Sequence, residues 1–430
     1  MTPQIKQRFD QIQRGEVPKG YKRTKAGVVP IEWEETRLAR YLVVNSDKNI
    51  SLQYGKDDVF SISGELGIVN QIELLGRSYA GVSVEPYGIV YPDNVVYTKS
   101  PLKANPYGII KTNKTGKTGI VSTLYAIFRC NDNVCPDFVQ SYFELDQNLN
   151  NYLYPIVNIG AKHDMKISDE NSLKGWVVFP PLDEQKKIAE ILSAQDKLIA
   201  LKEKLIEEKK RQKKYLMQQL LTGKKRLPGF SGEWSEIKLF QISKKITEKN
   251  TGFKYTVVYS NSAQHGIVPQ TDQFDRDIAN EENIDRYYVV KNGDFVYNPR
   301  ISVTAPCGPI NVNHNENIGV MSPLYTVFSV SSERIDNDYL EQYFKSSVWF
   351  KYMKSIANYG ARHDRMSITD DDFFEMPIRI GSVDEQKAIR KILVAADMEI
   401  EEMEIAIDLE KQKKKALMQL LLTGIVRVNA

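Results

Sequence analysis

The sequence predicts a mixed α+β chain built from two copies of one plan, an α+β domain followed by one long helix, with the two helices paired. Three observations carry this. From Asp183 the chain reads DEQKKIAEILSAQDKLIALKEKLIEEKKRQKKYLMQQLLTG, and from Asp384 it reads DEQKAIRKILVAADMEIEEMEIAIDLEKQKKKALMQLLLTG. Roughly half of the aligned positions are identical at a shift of about 200 residues, which is an internal duplication. Both copies have helical periodicity, and the stretches ahead of them have the texture of short strands.

Each copy reads as one continuous helix. Apolar residues recur at three and four, as in Ile188, Ile191, Leu192, Ile199, Ile206, Leu216 and Leu220. No Pro or Gly intervenes before the closing Thr-Gly, and Gly there suits a left-handed cap. About 40 residues at 1.5 Å rise give a rod of roughly 60 Å. That is too long for an ordinary globular helix. In the second copy Ile389, Leu393, Ala396, Ile400, Met403, Ile407, Leu417 and Leu421 form a matching heptad seam. Lys209, Lys213, Glu410 and Lys414 interrupt the seams where apolar residues are wanted, which leaves room for further helices from a partner. A solvated charged helix inside one domain is the bland alternative, and the duplication weighs against it.

A chain of 430 residues, 42% hydrophobic, can bury more than one core. Its formal charge of +3 says nothing about nucleic acid, so any such argument must come from local clusters. Cys130, Cys135 and Cys307 are too few and wrongly spaced for a disulfide framework, which fits a reducing compartment. The N-terminal stretch lacks the apolar core of a signal peptide, and no run approaches membrane-spanning length. The expectation is a soluble cytoplasmic protein with no membrane partner.

Taken in order, residues 1–20 are expected to be a polar, helix-prone leader with little to bury. The first domain, 21–182, opens near Pro30-Ile31-Glu32-Trp33 with Arg37-Leu38 behind it. The second, 224–383, opens at Phe230-Ser231-Gly232-Glu233-Trp234 with Lys238-Leu239 behind it. Short Tyr- and Val-rich runs broken by Gly, Pro and Asn favour strands in both. Gly67-Ile68-Val69 matches Gly266-Ile267-Val268, Val95-Val96-Tyr97 matches Phe295-Val296-Tyr297, and Ser122-Thr123-Leu124-Tyr125 matches Ser322-Pro323-Leu324-Tyr325. A helix is expected around Pro136 to Tyr152 and around Asp336 to Ala357. The long helices take 183–223 and 384–424, with a tail at 425–430.

Ahead of each long helix comes Gly160-Ala161-Lys162-His163-Asp164 or Gly360-Ala361-Arg362-His363-Asp364. Adjacent His and Asp supply ligands in metal-dependent phosphohydrolases, but such sites need more ligands, and His265 and His314 both lie in the second half. There is no Gly-x-x-x-x-Gly-Lys loop and no Gly-x-Ser-x-Gly elbow. Local charge favours nucleic acid instead. From Val95 to Arg129 there is no Asp or Glu, while Lys99, Lys103, Lys111, Lys114 and Lys117 fall among Tyr97, Ser100, Tyr107 and several Asn. Such a run offers phosphate contacts and base-edge hydrogen bonds, against the plain alternative of a solvated loop. The second half, with Tyr297, Asn298, Arg300 and Ser302, is less basic and would lean on Arg300, Arg362, His363 and Arg365.

The duplicated set as a whole, an early Trp, Gly-Ala-(Lys/Arg)-His-Asp, Asp-Glu-Gln-Lys and a helix ending Leu-Leu-Thr-Gly, resembles the DNA-specificity (S) subunit of type I restriction-modification systems. The likeness covers nearly the whole chain. It implies two target-recognition domains, each reading one half of a bipartite asymmetric DNA site, and two long helices lying antiparallel as a coiled-coil-like spacer. It implies no catalytic activity and no cofactor in this chain. Two methyltransferase subunits would bring S-adenosylmethionine, and restriction subunits would bring ATP. The DNA-binding candidates are then Tyr97, Lys99, Ser100, Lys103, Lys111, Lys114, Lys117, Lys162 and His163 in the first domain, and Tyr297, Asn298, Arg300, Ser302, Arg362, His363 and Arg365 in the second. The repeated His163 and His363 suit a shared role, such as phosphate contact, better than base discrimination. The competing readings are a scaffold that binds proteins through its helices without reading DNA, and a metal-dependent nuclease using His163 and His363.

Overall fold

A computed structural model describes residues 2–25, 27–102, 105–158, 165, 167–273, 281–359 and 364–428. The chain divides into two compact units, Met1–Lys202 with Ala406–Ala430, and Glu203–Ile405. In the first unit a four-stranded antiparallel sheet has the order Leu42–Val44, Tyr125–Cys130, Val95–Thr98, Ile110–Thr112. In the second the order is Ser243–Lys245, Thr326–Val330, Phe295–Tyr297, Ile310–Val312, the same plan strand for strand. Flanking hairpins also recur, Phe60–Ser63 with Gly67–Asn70 and Tyr259–Ser262 with Gly266–Pro269.

Strand alternation explains why the central runs Val95-Val96-Tyr97 and Phe295-Val296-Tyr297 are apolar at every position. Val95, Tyr97, Ala126 and Phe128 face the main core of the first unit, while Val96 and Ile127 face a smaller one with Phe60, Ile68, Val90 and Val121. The second unit repeats this, with Phe295, Tyr297 and Phe328 on one side and Val296 and Val327 on the other. Successive side chains point to opposite faces, so a strand covered on both sides has no polar phase. Gly108 and Gly308 fill equivalent places with φ +90° and +75°, and a β-carbon there would collide with the carbonyl oxygens of Thr98 and Asn298.

The helix expected after the sheet is two helices in each unit. Pro136–Glu144 and Asp146–Leu153 are separated by Leu145, whose ψ of 107° is extended. Asn337–Lys345 and Phe350–Ile356 are separated by residues 346–349, which begin with Ser346, likewise extended at ψ 176°. The break turns Tyr142, Phe143, Leu149, Tyr152 and Leu153 onto one core.

The long helices run Leu182–Leu220 and Val383–Leu422. The ends of these helices also pack into the domain cores. Ile188, Ala189, Leu192, Met418, Leu421 and Leu422 pack in the first core, and Met217, Leu220, Leu221, Ile389 and Leu393 in the second. Within each unit the two helix segments are antiparallel. In the first, Lys202 meets Glu410 at 3.0 Å and Asp196 meets Lys414 at 2.7 Å. In the second, Lys209 meets Glu399 at 2.5 Å and Lys213 meets Asp397. The polar seam positions are therefore matched charges. The Gln195 amide and the Lys202 ammonium hold the Glu410 carboxyl down at about 2.

The repeated Asp-Glu-Gln at each helix start is a clamp. Glu184, buried, accepts from the Trp33 indole at 3.2 Å and from Arg427 at 2.7 and 2.9 Å. Glu385 accepts from Trp234 at 2.9 Å and from Arg226 at 2.6 and 2.8 Å. Gln185 and Gln386 accept the backbone N–H of Cys135 and Asp336, at 3.0 and 2.9 Å. The leader forms the helix Pro3–Gln13, which buries nothing, and Arg8 donates to the Ile425 carbonyl at 2.7 Å. Among the described residues no helix is long and apolar enough to cross a membrane. Glu184→Ala leaves the Trp33 N–H without its acceptor and Arg427 with Glu32 alone, and should destabilise the first unit by about 3 kcal/mol. Glu190→Ala, exposed on the same helix, should change stability by less than ~0.5 kcal/mol. Urea unfolding that gave equal losses for both would remove the clamp from the fold's stability.

Candidate nucleic-acid interface

The acid-free lysine run of the first unit does not present five free cations. Lys111 lies in the strand Ile110–Thr112 at 6% exposure, 3.9 Å from Glu144, and burial pulls its pKa down. Lys99 donates to Asp169 at 2.7 Å. Lys114 bridges Asp93 at 2.7 Å and Asp137 at 2.6 Å. Tyr97 is a core residue whose hydroxyl donates to the Tyr107 carbonyl at 2.8 Å. Tyr97 and Lys111 are thus corrected from surface contacts to interior ones, while Lys99 and Lys114 stand in ion pairs. The reason is plain in three dimensions: the run lacks acids of its own, and carboxylates from elsewhere in the fold meet it. Ser100 and Lys117 are exposed, and the Lys117 ammonium has no partner among the described residues. Lys103, Lys162 and His163 lie outside the described residues.

The second unit gathers its candidates more closely. Asn298, Arg300, Ser302 and Arg365 line one cleft of about 270 Å³ with Ser260, Asn261, Ser262, Leu324 and Tyr325. Arg300 and Arg365 are partners in an antiparallel bridge, flanked by Ile301 N–H to the Asp364 carbonyl and Met366 N–H to the Pro299 carbonyl, both at 3.0 Å. Both arginines are exposed, and neither guanidinium has a hydrogen bond or ion pair among the described residues. Asn298 is held within the fold, where its amide donates to the Asn261 carbonyl at 2.9 Å and its oxygen accepts the Arg300 N–H at 3.0 Å. Tyr297, 3% exposed and stacked on Phe373 at 4.9 Å, is corrected to a core residue like its counterpart Tyr97. Arg362 and His363 lie outside the described residues.

Two lining residues, Leu324 and Tyr325, are not among the sequence candidates. The signal for them is the repeated Ser-x-Leu-Tyr, which reads in sequence as part of a strand. It is a turn, in which the Ser122 and Ser322 hydroxyls each accept the Leu N–H at 3.4 Å and leave Leu124 and Leu324 at 65% and 59% exposure. Among the described residues no group of three or more His, Cys, Asp or Glu could hold a metal ion.

No protein-family model matches the chain. The type I restriction enzyme MjaVIII specificity subunit of Methanocaldococcus jannaschii is 30% identical over 282 residues, covering 59% of this chain and 62% of that protein. The putative type I restriction enzyme MjaX specificity subunit of the same organism is 30% identical over 268 residues, covering 59% of this chain and 60% of that protein. The chain thus spans about 60% of the length of the curated relatives it matches. A chain solved in work on complex assembly and conformational transition of the type I R-M system shares the fold with a TM-score of 0.57 and 15% identity, over 93% of this chain and 99% of that one. Over the matched length the chain is thus similar to type I restriction enzyme specificity subunits, and it shares its fold with the solved chain.

Proposed function

We propose that the chain is the DNA-specificity subunit of a type I restriction-modification complex, in which each unit reads one half of a bipartite, asymmetric double-stranded site. One observation carries this reading: two units with the same strand order and the same glutamate clamp differ in the charge they expose at one place. The second unit offers Arg300 and Arg365 in a cleft, while Ser100 stands at the first unit's position for Arg300. A shared scaffold with unlike recognition groups suits two unlike half-sites. The relatives named as specificity subunits support the same role.

In this reading the chain carries no chemical step. Two methyltransferase subunits supply S-adenosylmethionine chemistry, restriction subunits supply ATP-driven chemistry, and this chain places them on DNA in the cytoplasm. The test is to purify the chain with its methyltransferase subunits, measure duplex binding against salt, and map methylated sites by sequencing. Binding should be sequence-selective, with log K falling linearly in log salt, and the mapped motif should have two read halves around an unread gap. Salt-insensitive binding to protein alone, or a contiguous motif, would overturn it.

The lysine pairing gives a sharper expectation. Lys111→Met keeps the buried stem and removes a charge already spent on Glu144, so the salt slope of the complex should stay unchanged. A drop of about one unit would return Lys111 to the interface.

A further inference from the structure

Building on the DNA-reading role, we propose that the second unit reads a guanine in its half-site through the paired guanidinium groups of Arg300 and Arg365. Residues directly opposite in an antiparallel bridge put their side chains on one face, about 5 Å apart at Cβ, and like charges there are destabilising. The Arg300–Arg365 bridge does this with no carboxylate bonded to either side chain among the described residues. The arrangement lacks an acceptor, and the ligand supplies it.

The cleft's remaining polar groups narrow what that ligand is. Asn261 donates to the Val296 carbonyl at 2.7 Å and accepts from Asn311 at 2.6 Å, and both polar atoms of Asn298 are likewise spent inside the fold. The Ser262 hydroxyl accepts from the Gln264 and His265 N–H groups, both at 3.3 Å, and that of Ser302 from Ala305 at 3.1 Å. Adenine is read by a free side-chain amide that donates and accepts, and cytosine by a free acceptor. The two amides are engaged within the fold and the cleft's hydroxyls suit either kind of base edge, so the groups that set it apart are the two guanidinium donors. The major-groove edge of guanine presents two acceptors, O6 and N7, which is what an arginine fork fits. A phosphate would also accept, but the cleft is recessed and carries Leu324, 59% exposed, on its wall. Apolar surface gains nothing against a phosphate and does gain against a base edge or a thymine methyl. The first unit has Ser100 where the second has Arg300, so the inference belongs to one half-site only.

The test uses the complex with methyltransferase subunits and the duplex its mapped motif defines. Each guanine in turn is replaced by 7-deazaguanine, which lacks the N7 acceptor. For the unaltered chain, one replacement in one half-site should weaken binding about tenfold. In the Arg300→Ala/Arg365→Ala double variant the same replacement should cost nothing further, and the mapped motif should lose its preference at that position while the other half-site stays as it was. Arg365→Lys keeps the charge and loses the fork, so it should relax that position without changing the salt slope. Equal weakening on every duplex with a lower salt slope would make the pair a phosphate contact and overturn the proposal, as would a selective motif whose halves contain no guanine-dependent position. Absence of any sequence-selective binding would sink the DNA-reading role itself, and this inference with it.

Discussion

The structure depends on a buried carboxylate at the start of each long helix. Glu184 and Glu385 are 3% and 1% exposed, and a charge so placed is tolerated only when its oxygens are fully engaged. Each therefore fixes what surrounds it: an indole N–H from the first strand region of its unit, and a guanidinium from the segment that follows the other long helix. In the first unit this ties three parts of the chain far apart in sequence at one point, and in the second it ties two. The adjacent Gln185 and Gln386 extend the tie to the start of the helix that covers the sheet. The Asp-Glu-Gln repeat is thus an anchoring device for the helix ends, and its duplication in sequence is a duplication of packing.

What the duplication does not share is equally informative. The two units keep sheet order, core alternation, the close-approach glycines and the clamp. They differ in how cations are used. In the first unit Lys99, Lys111 and Lys114 face carboxylates. In the second, two arginines stand side by side without one among the described residues. A paired cation is already solvated by its partner and gains little from a phosphate, whereas an unpaired one in a recess gains from any acceptor.

Much of the architecture was legible because it rests on local pattern. The long helices follow from uninterrupted apolar periodicity, and the central strands from short β-branched and aromatic runs. Pairing of charges was not legible, because Lys111 and Glu144 or Lys114 and Asp137 meet only after the sheet and its covering helix have packed. The seam shows the same limit. Lys213 and Glu410 read as defects in a heptad, yet Asp397 and Lys202 sit across from them. The cleft was half legible: Arg300 and Arg365 stood out by type, while Leu324 and Tyr325 were hidden in a run that resembled a strand. Tyr97 and Tyr297 misled because a tyrosine in a basic run looks like a contact, although strand phase sends both into the core.

The clamps are alike in chemistry and unlike in connection, and the difference explains contacts that, among the described residues, only the first unit has. In the second unit Arg226 reaches Glu385 from a segment that runs on directly into Trp234, so the Arg and the Trp that share one carboxylate are close in sequence. In the first unit Arg427 and Trp33 share Glu184 from opposite ends of the chain. Bringing distant segments together costs loop-closure entropy, which grows slowly with length at about 0.6 kcal/mol per doubling. The first unit has additional bonds at that junction: the Tyr21 hydroxyl donates to the Gly424 carbonyl at 2.8 Å, Arg8 donates to the Ile425 carbonyl at 2.7 Å, and Arg427 also reaches Glu32 at 2.9 Å. The polar leader, which buries nothing of its own, is thereby part of what closes the first unit, replacing with hydrogen bonds the covalent continuity that the second unit has between its arginine and its tryptophan.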